Sequence, residues 1–225
     1  MSIYAYYLLF MMYSIIGWIV EMIYTFIGNK KLVNRGFLIG PYCPIYGWGC
    51  MAIILLLKNL VDYPVLVFFM TIVICSVLEY STSYFMEKMF KTRWWDYSNK
   101  KFNINGRICL NTMLPFGILG TLIMYLVNPI LTKIVTSISY NSLKIIAIVT
   151  FVIYLIDNIA SFGIVAKFSK NIKNIKKDST ENIKKYTKKL FESKNIFNRR
   201  LLNAFPTVKE ALDNLRNEIK KIRTK

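Results

Sequence analysis

The chain contains no histidine. That removes the commonest general base and the commonest transition-metal ligand. It also excludes any Ser-His-Asp or Cys-His catalytic arrangement. Cysteine is scarce: Cys43, Cys50, Cys75 and Cys109 all lie in apolar surroundings, and no two form a C-x-x-C pair. They read as reduced, buried, small apolar residues. Neither G-x-x-x-x-G-K-[ST] nor G-x-G-x-x-G occurs, so the chain shows no nucleotide-binding loop of its own. The first basic residue is Lys30, and no small-residue cleavage site follows the first apolar run, so no cleavable signal peptide is expected. No metal and no cofactor is expected from this inventory.

What is present pulls two ways. The 225 residues are 55% hydrophobic, yet 30 Lys+Arg against 12 Asp+Glu give a formal charge of +18. The mean hydropathy is +0.39. A water-soluble domain is rarely so apolar, and a basic disordered chain is not apolar at all. Segregation resolves the conflict: apolar blocks in a bilayer, basic blocks in water.

A spanning helix needs about 20 mostly apolar residues. Five stretches qualify, at about 3–27, 37–57, 63–86, 108–131 and 145–166. The connecting segments give direction. Residues 28–36, 87–107 and 167–225 carry 27 of the 30 basic residues; the alternate segments carry only Lys58, Lys133 and Lys144. The positive-inside rule therefore predicts an all-α polytopic bundle of five transmembrane helices, N-terminus outside and C-terminus in the cytoplasm. Residues 1–166 form the membrane domain and 167–225 a basic cytoplasmic tail, in the inner membrane of a bacterial cell.

Ionisable groups at bilayer depth cost roughly 2.5–3.5 kcal/mol on insertion scales, so each needs a reason. Glu21, Glu79 and Asp157 lie 9, 9 and 10 residues before Lys30, Lys88 and Lys167. That places them about 13–15 Å above the inner basic boundary, at one common depth on three helices. They form either a shared acidic site, for a cationic solute, a proton or an Arg partner, or three separate acids capped by neighbouring polar groups. Glu79, Ser83 and Glu87 share one helical stripe, and Tyr80 and Tyr84 a neighbouring one. An Arg can reach Glu87 at the inner interface.

The second span opens G-F-L-I-G-P-Y-C-P-I-Y-G-W-G, with Gly36, Gly40, Gly47 and Gly49, Pro41 and Pro44, and Tyr46. Prolines three apart break a helix, and in lipid such a break survives only in protein or beside a cavity. The segment is either a broken helix that builds a binding site or a short non-helical entry to the span. The loop after the third span, R-W-W-D-Y-S-N-K-K-F-N-I-N-G-R, holds Arg93, Trp94, Trp95, Asp96, Tyr97, Asn105 and Arg107. Its aromatics suit the membrane boundary, Asp96 can pair with either Arg, and Asn103, Asn105 and Gly106 read as a turn. It is either an aromatic anchor with a salt bridge or a polar site beneath the acidic stripe.

Spans one and two join through N-R-G-F-L and then P-I-Y-G; spans three and four join through N-I-N-G-R-I and then P-F-G. With an intramembrane Glu in the first helix of each pair, this suggests a duplicated helical hairpin plus a fifth helix. In the tail, Lys167 to Lys189 carry nine Lys, which attract anionic lipid. Val208, Leu212, Leu215, Ile219 and Ile222, after the Thr207/Glu210 capping box, predict an amphipathic helix over 207–223. No nucleic-acid motif accompanies the charge.

The order of motifs resembles the ABC-transporter type IV (CmpB) family of bacterial membrane proteins. The strings are G-W-I-V-E at 17–21, the Gly/Pro segment at 36–49, E-Y-S-T-S at 79–83, R-W-W-D-Y-S with F-N-I-N-G-R-I-C-L at 93–110, and N-R-R-L-L-N-A-F-P at 198–206. Leu114-Pro115-Phe116 departs from the less broken fourth helix that the family leads one to expect. The resemblance implies a permease-like subunit. Any ATP hydrolysis would then come from a separate cytoplasmic ATPase subunit docked on the inner loops and tail. Expected partners are thus the lipid bilayer, anionic lipid at the tail and that ATPase; a homo-oligomer is compatible, and nucleic acid is not expected. Two further readings stay open. One is an intramembrane lipid-binding protein or enzyme that grips an anionic lipid phosphate through Arg93 and Arg107. The other is an assembly or regulatory protein acting through its tail.

Overall fold

The computed structural model describes residues 1–30, 38–90, 93 and 95–177. Among these residues six α-helices carry the fold: α1 Ile3–Asn29, α2 Pro44–Leu57, α3 Pro64–Phe90, α4 Leu110–Leu122, α5 Asn128–Ser137 and α6 Tyr140–Lys177. A two-stranded antiparallel sheet, β1 Asn103–Ile104 and β2 Ile108–Cys109, sits between α3 and α4. Among the described residues, four helical stretches are long and apolar enough to cross a membrane, namely Ile3–Ile27, Pro64–Met89, Leu110–Ser137 and Tyr140–Ile164. A fifth apolar helix, Pro44–Leu60, is shorter.

Local chemistry explains the boundaries. Ser2 caps α1 by accepting from Ala5 N at 3.3 Å. Pro44 stands at the first position of α2, where its missing N–H costs nothing. The second span is therefore helical over only 14 residues, about 21 Å, against a hydrocarbon core of about 30 Å. Residues 38–43 complete it as non-helical chain, with Leu38, Tyr42 and Cys43 buried. The two prolines precede and open the helix; they do not interrupt it.

α4 and α5 form one continuous rod through a π-turn at Ile123–Val127. Pro129 offers no N–H to Tyr125, and the ladder adjusts with Asn128 N bonding to Ile123 O. Pro115 lies inside α4 without ending it. The polar segment around 132–144, expected as a loop, is helical except for Ile138 and Ser139. Its hydroxyls fold back on their own helix: Thr136 donates to Thr132 O and Ser137 to Ile134 O, both at 2.8 Å. α6, at 38 residues, runs about 57 Å and outlasts the bilayer.

α1 packs chiefly on α2 and α3 on α4; α1 also touches α5 and α6. Tyr13, Leu9, Phe10 and Met11 of α1 form the principal core with Cys50 and Met51 of α2, Leu131 and Val135 of α5, and Leu143 and Ala147 of α6. Close approach is permitted where a glycine faces a neighbour. A Cβ at Gly47 would collide with Ser14 and the Phe10 ring, and one at Gly120 with Thr71. The outward faces of α3 and α6 are apolar, with Val65, Val73, Val77, Ile145, Ile148, Ile156 and Ile159 all exposed. That is the pattern of helices solvated by lipid, and the chain is a multi-pass membrane protein.

Candidate functional site

The three intramembrane acids belong to two separate networks. Asp157, on α6, faces the non-helical entry to α2. Its Oδ1 accepts from Ile39 N at 3.0 Å and from Ser161 Oγ at 2.8 Å. Its Oδ2 accepts from Gly40 N at 2.7 Å and from Tyr42 OH at 2.5 Å. Backbone that leaves the helix in lipid must find partners elsewhere, and this carboxylate supplies them. Cys43 N completes the entry by donating to Ser14 O at 2.8 Å. Of the Gly/Pro segment, Gly40 and Tyr42 thus serve Asp157, Pro41 is exposed, and Gly47 packs on α1.

Glu21 and Glu79 face a different interior. Tyr46 OH donates to Glu21 Oε1 at 2.6 Å. Tyr97 OH reaches Glu79 Oε1 at 3.3 Å. Glu79 Oε2 lies 3.4 Å from Thr112 Oγ1. Thr112 has one hydroxyl proton, and Cys109 O, at 2.8 Å, is its nearer acceptor. Glu79 is only 8% exposed although it is an acid. Glu21 and Glu79 lie close enough to feel each other's charge, as do Tyr46 and Tyr97. Glu21 thus pairs with a phenol of α2, and Glu79 with a phenol of the loop that joins α3 to α4.

The loop after α3 is a folded cover over that helix. Asn105 and Gly106 both have positive φ, 53° and 68°, and Arg107 N closes the turn on Ile104 O at 3.0 Å. Gly106 has a second reason to be glycine: a Cβ there would meet Ser98, Asp96 and Arg93. Every polar position of the α3 stripe finds a partner in this cover. Arg107 Nη2 lies 2.8 Å from Glu87 Oε2, and its Nη1 donates to Ser83 Oγ at 3.3 Å. The guanidinium also stands over Tyr80 and Tyr84, 5.6 and 5.4 Å from the ring centroids. Arg93 Nε lies 3.2 Å from the same Glu87 oxygen, and Arg93 Nη1 3.3 Å from Asp96 Oδ1. Asn105 donates to Tyr80 OH at 2.9 Å, and Trp95 Nε1 to Arg107 O at 3.0 Å.

Two residues of the cover have shifted protonation. The Ser98 hydroxyl and backbone N–H, with Arg93 behind them, hold the Asp96 carboxyl below the ordinary carboxylate range. Burial, reinforced by the Glu79 carboxylate, holds the Tyr97 phenol proton well above the ordinary range. Tyr97 is thus a permanent donor to the acid above it.

Gly36 and Trp94, two of the expected site residues, lie outside the described residues, as do the tail beyond 177 and its expected amphipathic helix. Sequence reasoning missed Tyr42, Ser161 and Thr112. Ser161 lies four residues after Asp157, so helical periodicity held that signal. Tyr42 and Thr112 meet their acids across 115 and 33 residues, which no local pattern reveals.

The family described as "Putative ABC-transporter type IV" matches residues 8–162. The chain belongs to this family. The match takes in all three intramembrane acids, both helix pairs and the cover, so the candidate site lies wholly inside the family's own region. No curated protein and no solved structure matches the chain.

Proposed function

We propose that this chain is the permease-like membrane subunit of an ABC-type transporter in the bacterial inner membrane, with the α3–α4 cover and the basic tail on the cytoplasmic side. The observation that carries the reading is that two acids of apolar helices, Glu21 and Glu79, turn into the bundle, each against a phenol. Unlike Asp157, which caps backbone that has left the helix, Glu21 and Glu79 meet side-chain hydroxyls, so holding the backbone is no reason for these two. Their chemistry suits a cationic or protonated solute. The basic segments on one side of the bundle support the orientation. With no phosphate loop in the chain, ATP hydrolysis falls to a separate subunit, and the cover and tail are the surfaces it would reach.

The alternative grip on a lipid phosphate is less well supported. Arg93 and Arg107 both already hold Glu87, and a phosphate would have to displace that carboxylate from both.

The test is isolation of the full-length chain from native membranes in mild detergent, with identification of what accompanies it. The reading expects a stoichiometric P-loop ATPase whose ATP hydrolysis depends on the chain. Recovery of the chain alone, from membranes crosslinked before solubilisation, would overturn it.

A further inference from the structure

The cover lies alongside α3 and not beneath it. Asn105 donates to Tyr80 OH at 2.9 Å, Tyr97 OH reaches Glu79 at 3.3 Å, and Arg107 holds Ser83 and Glu87. Glu79 and Tyr80 stand about 15–17 Å before the end of α3 at Phe90. The chain that leaves α3 therefore folds back along the last three turns of the helix. Pro64–Met89 and Leu110–Ser137, which flank the cover, are both long and apolar enough to cross a membrane. The cover is thus held at the bilayer boundary.

Its two faces differ. Ile108 and Cys109 of β2 are buried. Trp95 and Tyr97, aromatics that the sequence offers to the membrane boundary, turn inward to Arg107 O and Glu79. The apolar side chains that point outward are others: Phe102 is 78% exposed and Ile104 51%. Phe102 also has a φ of 53°. Bulky residues rarely adopt that left-handed backbone, which costs about 1–2 kcal/mol. So exposed a ring recovers little of this by packing on its own chain, and a strained, outward aromatic points to a contact outside it.

Charge gives the second observation. Lys88, Lys100 and Lys101 are all exposed at this end of the bundle. The acids near them are already paired: Glu87 with Arg93 and Arg107, and Asp96 with Arg93. Among the described residues the outer surface of the cover is therefore basic around an apolar tip.

We propose that Phe102 and Ile104, flanked by Lys100 and Lys101, form a membrane anchor that inserts among lipid chains and binds anionic lipid headgroups. Lysine suits the flank, because its stem lies along apolar surface while its ammonium reaches the headgroups. Each lysine near an anionic surface contributes about 1 kcal/mol. Two other occupants fit less well. A second copy would bring an equally basic surface against this one. A water-soluble subunit would approach from beneath the bundle, whereas the tip lies beside α3. The anchor uses neither Arg93 nor Arg107, and it does not rest on the transport reading.

Photocrosslinking of the full-length protein tests this, with Phe102 replaced by p-benzoylphenylalanine. In native membranes we expect phospholipid adducts at that position and no protein adduct. In liposomes of equal parts phosphatidylcholine and phosphatidylglycerol we expect phosphatidylglycerol adducts in excess. Their ratio to phosphatidylcholine adducts should fall at least about threefold when Lys100→Gln and Lys101→Gln are added. Exchange of the Arg107 amide, which closes the turn on Ile104 O, reports whether the cover stays folded. The same probe in place of Ile104 repeats the measurement without touching the strained position. Adducts with a protein or with this chain's own tail in place of lipid, no lipid adduct from either position, or a ratio unmoved by the lysine changes overturns the proposal.

Discussion

Asp157 and Glu79 are both single acids in apolar helices, and the bundle surrounds them differently. Asp157 accepts from two backbone N–H groups, a phenol and a serine hydroxyl, at 2.5–3.0 Å. Glu79 is more deeply buried, yet its contacts with Tyr97 and Thr112 are long, 3.3 and 3.4 Å. One acid binds, through short bonds, backbone that has left the helix; the other is loosely held by two long contacts. Two lone acids in apolar helices therefore need not share a role. The quality and the kind of the donors around each carboxylate separate structure from chemistry.

The comparison can be broken first at Asp157. In Asp157→Ala, Gly40 N and Tyr42 OH lose their acceptor, and Ile39 N keeps only Ser161. Each stranded buried donor costs about 1–3 kcal/mol. We expect a loss of at least about 2 kcal/mol, read as a lower unfolding midpoint in detergent and faster proteolysis near residues 38–43. Arg107→Ala comes next. It removes a buried charged hydrogen bond and the contacts with Tyr80 and Tyr84, for about 2–3 kcal/mol of cover docking. Faster amide exchange across Asn103–Cys109 would report it. Arg93→Ala removes a half-exposed partner of the same Glu87 and should cost about 0.5 kcal/mol. Equal losses from Arg93 and Arg107 would contradict the assigned geometry.

The smallest effect is that of pH on Asp96. Its carboxyl is depressed in the folded cover, so its contribution is present above the unfolded carboxylate range and is lost as pH falls through the folded value. Protection of the Ser98 amide, measured against the exchange rate of a free amide at the same pH, should therefore fall in acid, and Asp96→Asn should flatten that dependence.

Much of the architecture was legible because it is local. Apolar length marks α1, α3, α4–α5 and α6. Helical spacing places Glu79, Ser83 and Glu87 on one stripe, and Asn105-Gly106 marks the turn. Two features were less legible. The helix of the second span begins at Pro44 and not at Phe37, because Asp157, more than a hundred residues away, satisfies the backbone before it. The polar stretch around 132–144 looked like a loop, but its Thr and Ser hydroxyls bond to their own helix and let it continue. The site suffered from the same limit. The acids were visible, but Tyr42, Tyr46 and Thr112 become their partners only through packing.

The most direct test sets two isosteric changes side by side: unfolding midpoints of Asp157→Asn and Glu79→Gln in the same detergent. In Asp157→Asn the new NH2 must face either Ile39 N or Gly40 N, a donor against a donor. In Glu79→Gln the amide oxygen can accept from Tyr97 and the NH2 can donate to Thr112. The account predicts a clear loss of stability for Asp157→Asn and a midpoint close to that of the unmodified chain for Glu79→Gln. Equal losses, or the larger loss at Glu79, would contradict the division between an acid that holds the fold and an acid that is free for chemistry.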